Sequence, residues 1–316
     1  MTTIQTTGLT KRFGKDVTAV KNLDLQIEDG EIFGFLGPNG AGKSTTINLL
    51  LDFIRPTDGS AEVFGLDITE HSEQIRERTG VLPEGYAVYD HLTGREHVEW
   101  AIETKGVDDD PDRVLEEVGL AEAARRTAGG YSKGMSQRLA LAIALVGDPD
   151  LLILDEPSSG LDPNGIQHMR ELLRERAADG TTIFFSSHIL GEVEAVSDRV
   201  GIMNGGELVA VDTLEGLREG VGGLATVELE CASIPDSLTP KSMDGVVNST
   251  VKDRRLRIEC DSPREKADVI EYVNSHTDVR DVVSTGTSLE ELFNTYTDGG
   301  RGGPTERDSA GSGGSQ

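Results

Sequence analysis

The chain has 316 residues, 56 of them acidic and 30 basic, for a formal net charge of −26. That length accommodates one large domain and one small one with ample core. The charge argues against a nucleic-acid surface, which needs clustered Lys and Arg to neutralise phosphates, and no apolar run approaches the ~20 residues that cross a bilayer.

Met1-Thr2-Thr3-Ile4-Gln5 has neither the basic n-region nor the apolar h-region of a signal peptide, so none is expected. The two cysteines, Cys231 and Cys260, fall on separate expected strands, so neither a disulfide framework nor a metal-ligand spacing is expected. A cytosolic chain is the default expectation. The acidic excess, with Arg commoner than Lys, reads as a solvated surface for concentrated salt or as an acidic chain kept soluble by its charge.

Residues 1–30 alternate apolar and polar, as in Leu23-Asp24-Leu25-Gln26-Ile27-Glu28, and close on Asp29-Gly30. This predicts antiparallel strands with a tight turn. Glu31-Ile32-Phe33-Gly34-Phe35-Leu36 follows as a short buried strand. Then comes Gly37-Pro38-Asn39-Gly40-Ala41-Gly42-Lys43-Ser44-Thr45, which fits the phosphate-binding pattern G-x-x-x-x-G-K-[ST]. Thr46 to Leu51 reads as the first turns of a helix. Strand, glycine loop and helix are needed in that order. The glycines let several N–H groups point at one phosphate chain, and the helix start adds partial positive charge. Lys43 is expected to reach the β- and γ-phosphates, and Ser44 to hold Mg²⁺ through its hydroxyl. Phe13, one hairpin upstream, is either a stacker for an adenine base or a core or turn aromatic.

Ala61-Glu62-Val63-Phe64 and Gly80-Val81-Leu82 read as strands, and Pro83-Glu84-Gly85 breaks the pattern. Helical spacing dominates from about residue 94 to 147. Asp108-Asp109-Asp110-Pro111 starts one helix and Gly119 closes it. Trp100 is expected in the core, on an apolar helical face. Leu151-Leu152-Ile153-Leu154 is a buried strand that ends in Asp155-Glu156-Pro157. That acidic pair suits magnesium chemistry, with Asp155 on the metal and Glu156 orienting or deprotonating the attacking water. Thr181 to Ser187 is another buried strand with His188 at its end, where open α/β sheets place ligands. His188 is either a γ-phosphate contact or a strand-end histidine satisfied locally.

Near residue 221 the pattern changes. Val221-Gly222-Gly223 reads as a linker, Ala225 to Glu230 and Arg254 to Glu259 as strands, Pro263 to Tyr272 as a helix, Val279 to Val283 as a strand and Ser288 to Thr295 as a last helix. This small α+β unit shows no catalytic cluster. From about Asp298 the composition of Gly, Ser and charge predicts a disordered tail.

With these motifs in place the chain resembles an ATP-binding cassette (ABC) ATPase over about residues 4–220. Tyr131-Ser132-Lys133-Gly134-Met135-Ser136-Gln137-Arg138 is similar to the family signature, Leu-Ser-Gly-Gly-Gln followed by x-Gln-Arg. Leu139 to Leu145 resembles the helix after it, Ser159-Gly160-Leu161-Asp162 the loop after the second nucleotide motif, and His188 the switch histidine. Lys133 replaces a glycine of the signature and Met135 its glutamine, while Glu84 stands where many members carry glutamine. Glu84 cannot offer amide donors, so its link to nucleotide must differ; Lys133 either adds charge near a phosphate or points into solvent. These variants, and an ending like Ser288-Leu289-Glu290-Glu291-Leu292-Phe293, resemble the branch whose separate ATPase subunits drive multi-span permeases of the ABC-2 type.

The resemblance implies an α/β fold: a P-loop NTPase (recA-like) core with an N-terminal antiparallel β-subdomain and a helical signature subdomain, over residues 1–220. A small α+β accessory domain over 221–297 and a tail over 298–316 complete it. It implies an Mg²⁺-dependent ATPase with Glu156 and His188 catalytic and Ser44 and Asp155 on the metal. The phosphate loop, Phe13 and Glu84 would bind nucleotide, joined by Ser132 and Gly134 of a second copy or a paralogous ATPase in a nucleotide sandwich. The partner would be an ABC-2 type membrane permease, with the chain at the inner face of the cell membrane and export as the direction. The rival is a soluble cassette ATPase acting on ribosomes or chromosomes. Translation-type members carry tandem cassettes and chromosome-type members long coiled coils, and the sequence has one cassette and no sustained heptads.

Overall fold

The computed structural model describes residues 1–220, 225–235, 238, 240–252, 254–261 and 264–285. The chain divides into two compact units, Met1–Leu217 and Arg218–Gln316. The expected linker at 221–223, the last helix at 288–295 and the tail at 298–316 lie outside the described residues.

The first unit opens with two long strands, β1 (Thr2–Phe13) and β2 (Val17–Glu28). They pair antiparallel, as the alternation predicts. Leu23, Leu25 and Ile27 point into the core, with polar residues between them exposed. Next come β3 (Ile32–Leu36), α1 (Lys43–Leu50), β4 (Asp58–Val63), β5 (Leu66–Asp67), α2 (Ser72–Glu77) and β6 (Thr79–Leu82). Strand β4 stops one residue short of the expected Phe64, whose φ of 57° takes the chain out of the sheet. The helical stretch contains α3 (Gly94–Lys105), α4 (Pro111–Glu117) and α5 (Lys133–Leu145). Beyond it lie β7 (Leu151–Asp155), α6 (Pro163–Ala178), β8 (Thr182–Ser187), α7 (Leu190–Val196), β9 (Arg199–Asn204), β10 (Glu207–Thr213) and α8 (Leu214–Gly220).

Two sheets form. One is antiparallel in the order β2-β1-β4-β5; the other runs β10-β9-β3-β8-β7-β6. In the second, β9, β3, β8, β7 and β6 are parallel and β10 is an antiparallel edge. Strands β3, β7 and β8 are buried at every position, which is why their centres read as apolar runs. The two sheets share one core, in which Ile4, Leu23 and Ile27 meet Phe35, Ile153 and Phe184. Phe33 and Phe184 stack with centroids 6.0 Å apart.

Local chemistry sets the helix starts. Thr93 and Glu96 form a capping box on α3, and Asp110 caps α4 with Pro111 in its first turn. Gly119, at φ 69°, ends that segment as expected. Trp100 corrects the expectation of a core residue: it is 49% exposed and meets the edge of Tyr89 at 5.8 Å. The buried stripe of α3 is Gly94, His97, Val98 and Ala101, and Trp100 falls off it. His97 takes the inner position because both ring nitrogens are satisfied, by the Tyr89 N–H and the Thr93 carbonyl.

The second unit contains β11 (Ala225–Cys231), β12 (Val246–Lys252), β13 (Arg255–Cys260), α9 (Glu265–His276) and β14 (Val279–Thr285), with the sheet in the order β12-β13-β11-β14. Val227, Leu229, Leu256 and Ile258 face Val269 and Val273 of α9 in a separate core. Cys231 and Cys260 are free and buried there, and burial pushes both thiols up. Strand β12, with Asn248, Ser249 and Thr250 at its centre, is too polar to have shown in the apolar pattern.

Candidate functional site

Parallel strands β3, β6, β7 and β8 deliver their carboxyl ends to one rim of the sheet, and the phosphate loop, Glu84, the Asp155-Glu156 pair and His188 all follow those ends. A cleft of about 220 Å³ is lined by Ala19, Pro38, Asn39, Gly40, Gly42, Lys43, Ser44, Thr45, Glu84 and Glu156. Gly37 and Ala41 of the loop are held by backbone bonds. The Gly37 N–H donates to Ser187 O at 3.3 Å, and Ala41, buried, donates to Pro38 O at 3.1 Å. Gly42 begins α1 with φ 110° and no side-chain cap, and a Cβ there would come within 2.3 Å of Ala19 O. Only glycine fits both the conformation and the space. The first N–H groups of α1 are left for an external acceptor.

Lys43 is 6% exposed, and its Nζ donates to Gly37 O at 2.7 Å. Glu156 Oε1 stands 3.5 Å from the same Nζ. The ammonium is therefore buried under the loop among oxygen acceptors. Ser44 Oγ donates to Glu84 Oε2 at 3.4 Å. Asp155 is nearly buried, and its carboxylate accepts from Ser186 Oγ.

Glu156 adopts φ 51°, a left-handed conformation that an ordinary residue holds only when its surroundings enforce it. Here they do. Its N–H donates to Ser186 O at 3.2 Å and Ser186 Oγ at 3.1 Å. Its carbonyl accepts from Ser159 N at 3.0 Å and from the Gln137 amide at 3.3 Å. Its Oε2 lies 2.8 Å from His188 Nδ1. An ionised carboxylate only accepts, so Nδ1 carries the proton in that pair. Half of His188 remains exposed.

Gln137 and Ser186 belong to this arrangement, and reading the sequence assigned neither a role. Ser186-Ser187 breaks an otherwise apolar buried strand, and that polar interruption is the signal that marks it. Phe13 is 46% exposed at the tip of β1, with Lys11 Nζ 5.2 Å from its ring centroid, and is not a core aromatic. It does not line the cleft.

Ser132 and Gly134 are not brought to the cleft either. Ser132 caps α5 by accepting from Met135 N at 3.2 Å, and Gly134 sits against Gly160, whose carbonyl a Cβ would meet at 3.0 Å. The stem of Lys133 lies over Gly160. A larger cleft of about 540 Å³ contains Arg113 and Arg176, but both are neutralised by Glu117 and Asp148. It offers no uncompensated positive charge to an anionic ligand.

The family description "ABC transporter" matches residues 20–159. A bacitracin transport ATP-binding protein of Enterococcus faecalis is 33% identical over 300 residues, 94% of this chain and 97% of that protein. A daunorubicin/doxorubicin resistance ATP-binding protein of Streptomyces peucetius is 31% identical over 304 residues, 93% of this chain and 92% of that protein. The solved structure of a dimeric bacterial ABC transporter cassette superimposes with a TM-score of 0.61 at 26% identity, over 67% of this chain and 98% of the other.

Proposed function

Because the chain belongs to the ABC transporter ATPase family, we propose that it is the engine subunit of an exporter, an ATPase whose hydrolysis drives a separate ABC-2 type membrane permease. The observation that carries the site assignment is the meeting of Lys43, Ser44 and Glu156 at one cleft, with His188 hydrogen-bonded to Glu156. The relatives named above serve bacitracin transport and daunorubicin/doxorubicin resistance, which supports export. Among the described residues no helix is long and apolar enough to cross a membrane, which fits a separate permease. We place the chain at the inner face of the cell membrane through that partner.

Each side chain has a task. The loop N–H groups from Gly40 to Thr45 and the Lys43 ammonium hold the β- and γ-phosphates. Glu156 accepts the proton of the attacking water, a general-base role worth about 10²–10⁴-fold. His188 holds that carboxylate and turns its exposed edge toward the γ-phosphate. Phe13 is free to stack on adenine. The Ser44 hydroxyl and the Asp155 carboxylate are hard oxygen donors of the kind Mg²⁺ takes, so their chemistry fits that ion. Bound there, Mg²⁺ would neutralise charge on the phosphate oxygens. Ser132 and Gly134 serve the cleft of a second copy or a paralogue, since they lie outside their own. The unit from Arg218 onward is an accessory domain, and the acidic surface suits concentrated salt. Folding tighter in low salt than in molar KCl would contradict that last point.

Affinity purification of the tagged chain from detergent-solubilised membranes tests the assignment. A multi-span protein should co-purify, and its addition should change the ATPase rate. An ATPase that recovers ribosomal or chromosomal components instead would support the soluble reading.

A further inference from the structure

We propose that Glu192 is a positioning residue that clamps the loop after Glu156 to the strand end before His188, and so holds the catalytic pair in register. The inference rests on the ATPase reading above and goes beyond it.

Glu192 lies on α7, is 5% exposed and forms no ion pair among the described residues. A carboxylate buried without a cation is costly unless hydrogen bonds satisfy it. Two do. Ser158 Oγ donates to Glu192 Oε2 at 2.6 Å, and Ser187 Oγ donates to the same oxygen at 2.9 Å. Both serines are buried, at 6% and 0% exposure. Ser158 is two residues after Glu156, and Ser187 is immediately before His188. The same two segments are joined on the cleft side by the 2.8 Å contact between His188 and Glu156. Beside the bonds that Asp155 and Glu156 make to Ser186, they are therefore tied twice by side chains from farther along, once by His188 and once from behind by Glu192.

The second tie has a specific task. Glu156 sits at φ 51° and its carbonyl accepts from Ser159 N, so its conformation depends on where the Ser158-Ser159 turn is held. Releasing Ser158 lets the turn relax, and with it the carboxylate that must meet the water. Releasing Ser187 frees the peptide that aims His188. Neither serine lines the cleft, so loss of their hydroxyls should leave nucleotide affinity little changed. An apolar residue would spare the buried charge but leave both serine hydroxyls without their acceptor. A carboxylate there serves geometry.

Glu192→Leu, Glu192→Gln, Ser158→Ala and the Ser158→Ala/Ser187→Ala double variant test this by steady-state ATP hydrolysis and by nucleotide titration of the full chain. Glu192→Leu should lower kcat by about tenfold or more with KM and nucleotide affinity little changed, the pattern of lost transition-state geometry. Glu192→Gln keeps an acceptor for both hydroxyls and should recover most of the rate. The double serine variant should reproduce Glu192→Leu, which keeps the test available if the leucine variant fails to fold. Wild-type kcat in Glu192→Leu, equal loss in Glu192→Leu and Glu192→Gln, or a wild-type rate in the double serine variant would overturn the inference. An unaltered chain that hydrolyses no ATP would instead overturn the function proposed above.

Discussion

The phosphate loop and the Ser132–Arg138 stretch are both turns that open a helix, and they treat their helix starts in opposite ways. At α1 the capping position is Gly42, with no side chain to occupy the first N–H groups. At α5 the chain supplies its own cap, with Ser132 Oγ accepting from Met135 N and Gly134 pressed against Gly160. An open helix start is a standing anion site, whereas a capped one binds an anion only by giving up or sharing its cap. The first stretch is thus complete within one chain. The second becomes useful only when another molecule brings a phosphate to it, which is the physical argument for two copies.

The sharpest way to break this contrast is at Lys43. Lys43→Ala removes the one ammonium buried beneath the loop, and with it charge-assisted contacts to the β/γ-phosphates. Hydrolysis should vanish and ATP affinity fall by about tenfold to a hundredfold. Isothermal titration with Mg-ATP measures it; unchanged affinity and turnover would remove the phosphate-loop assignment. A smaller and more selective effect is expected at Ser132. Ser132→Asp keeps a good helix cap but sets a carboxylate where another molecule's phosphate must approach. Turnover should drop by about tenfold or more, since like charges face each other across the contact, while binding to the isolated chain and thermal stability stay the same. A loss of binding in the monomer would mean that Ser132 serves its own cleft. The smallest effect is expected from the second unit. A fragment ending at Gly220 should bind ATP as the full chain does. A fragment that folds and binds nothing would place part of the site beyond residue 220.

Reading the sequence was most productive where one residue type is the only solution. Gly42 must be glycine because of φ 110° and Ala19 O, and the centres of β3, β7 and β8 are mostly apolar because every position of these strands is buried. It fell short where a role depends on partners distant in sequence. Gln137 reaches Glu156 across 19 positions and Ser186 across 30, and neither distance leaves a local mark. Trp100 lies outside the core because the face that looks apolar in the sequence is not the buried one: the buried stripe of α3 includes His97 with its two hydrogen bonds. For Lys133, packing of its stem on Gly160 is a role that spacing alone does not show.

The central claim is that the cleft built around Lys43 and Glu156 is completed by the Ser132 region of a second chain. Glu156→Gln tests it most directly, because glutamine keeps the shape and loses the base while Lys43, Ser44 and Asp155 remain. Turnover should fall at least about a hundredfold with ATP affinity retained, and the unhydrolysed nucleotide should stabilise the closed pair by mass action. Light scattering coupled to size exclusion, with and without Mg-ATP at high KCl and with the membrane partner supplied, reads the outcome. A persistent ATP-dependent dimer of the variant beside a transient one of the wild type is the result expected. A variant that stays monomeric with ATP bound in the presence of that partner, or one with full turnover, would contradict the account.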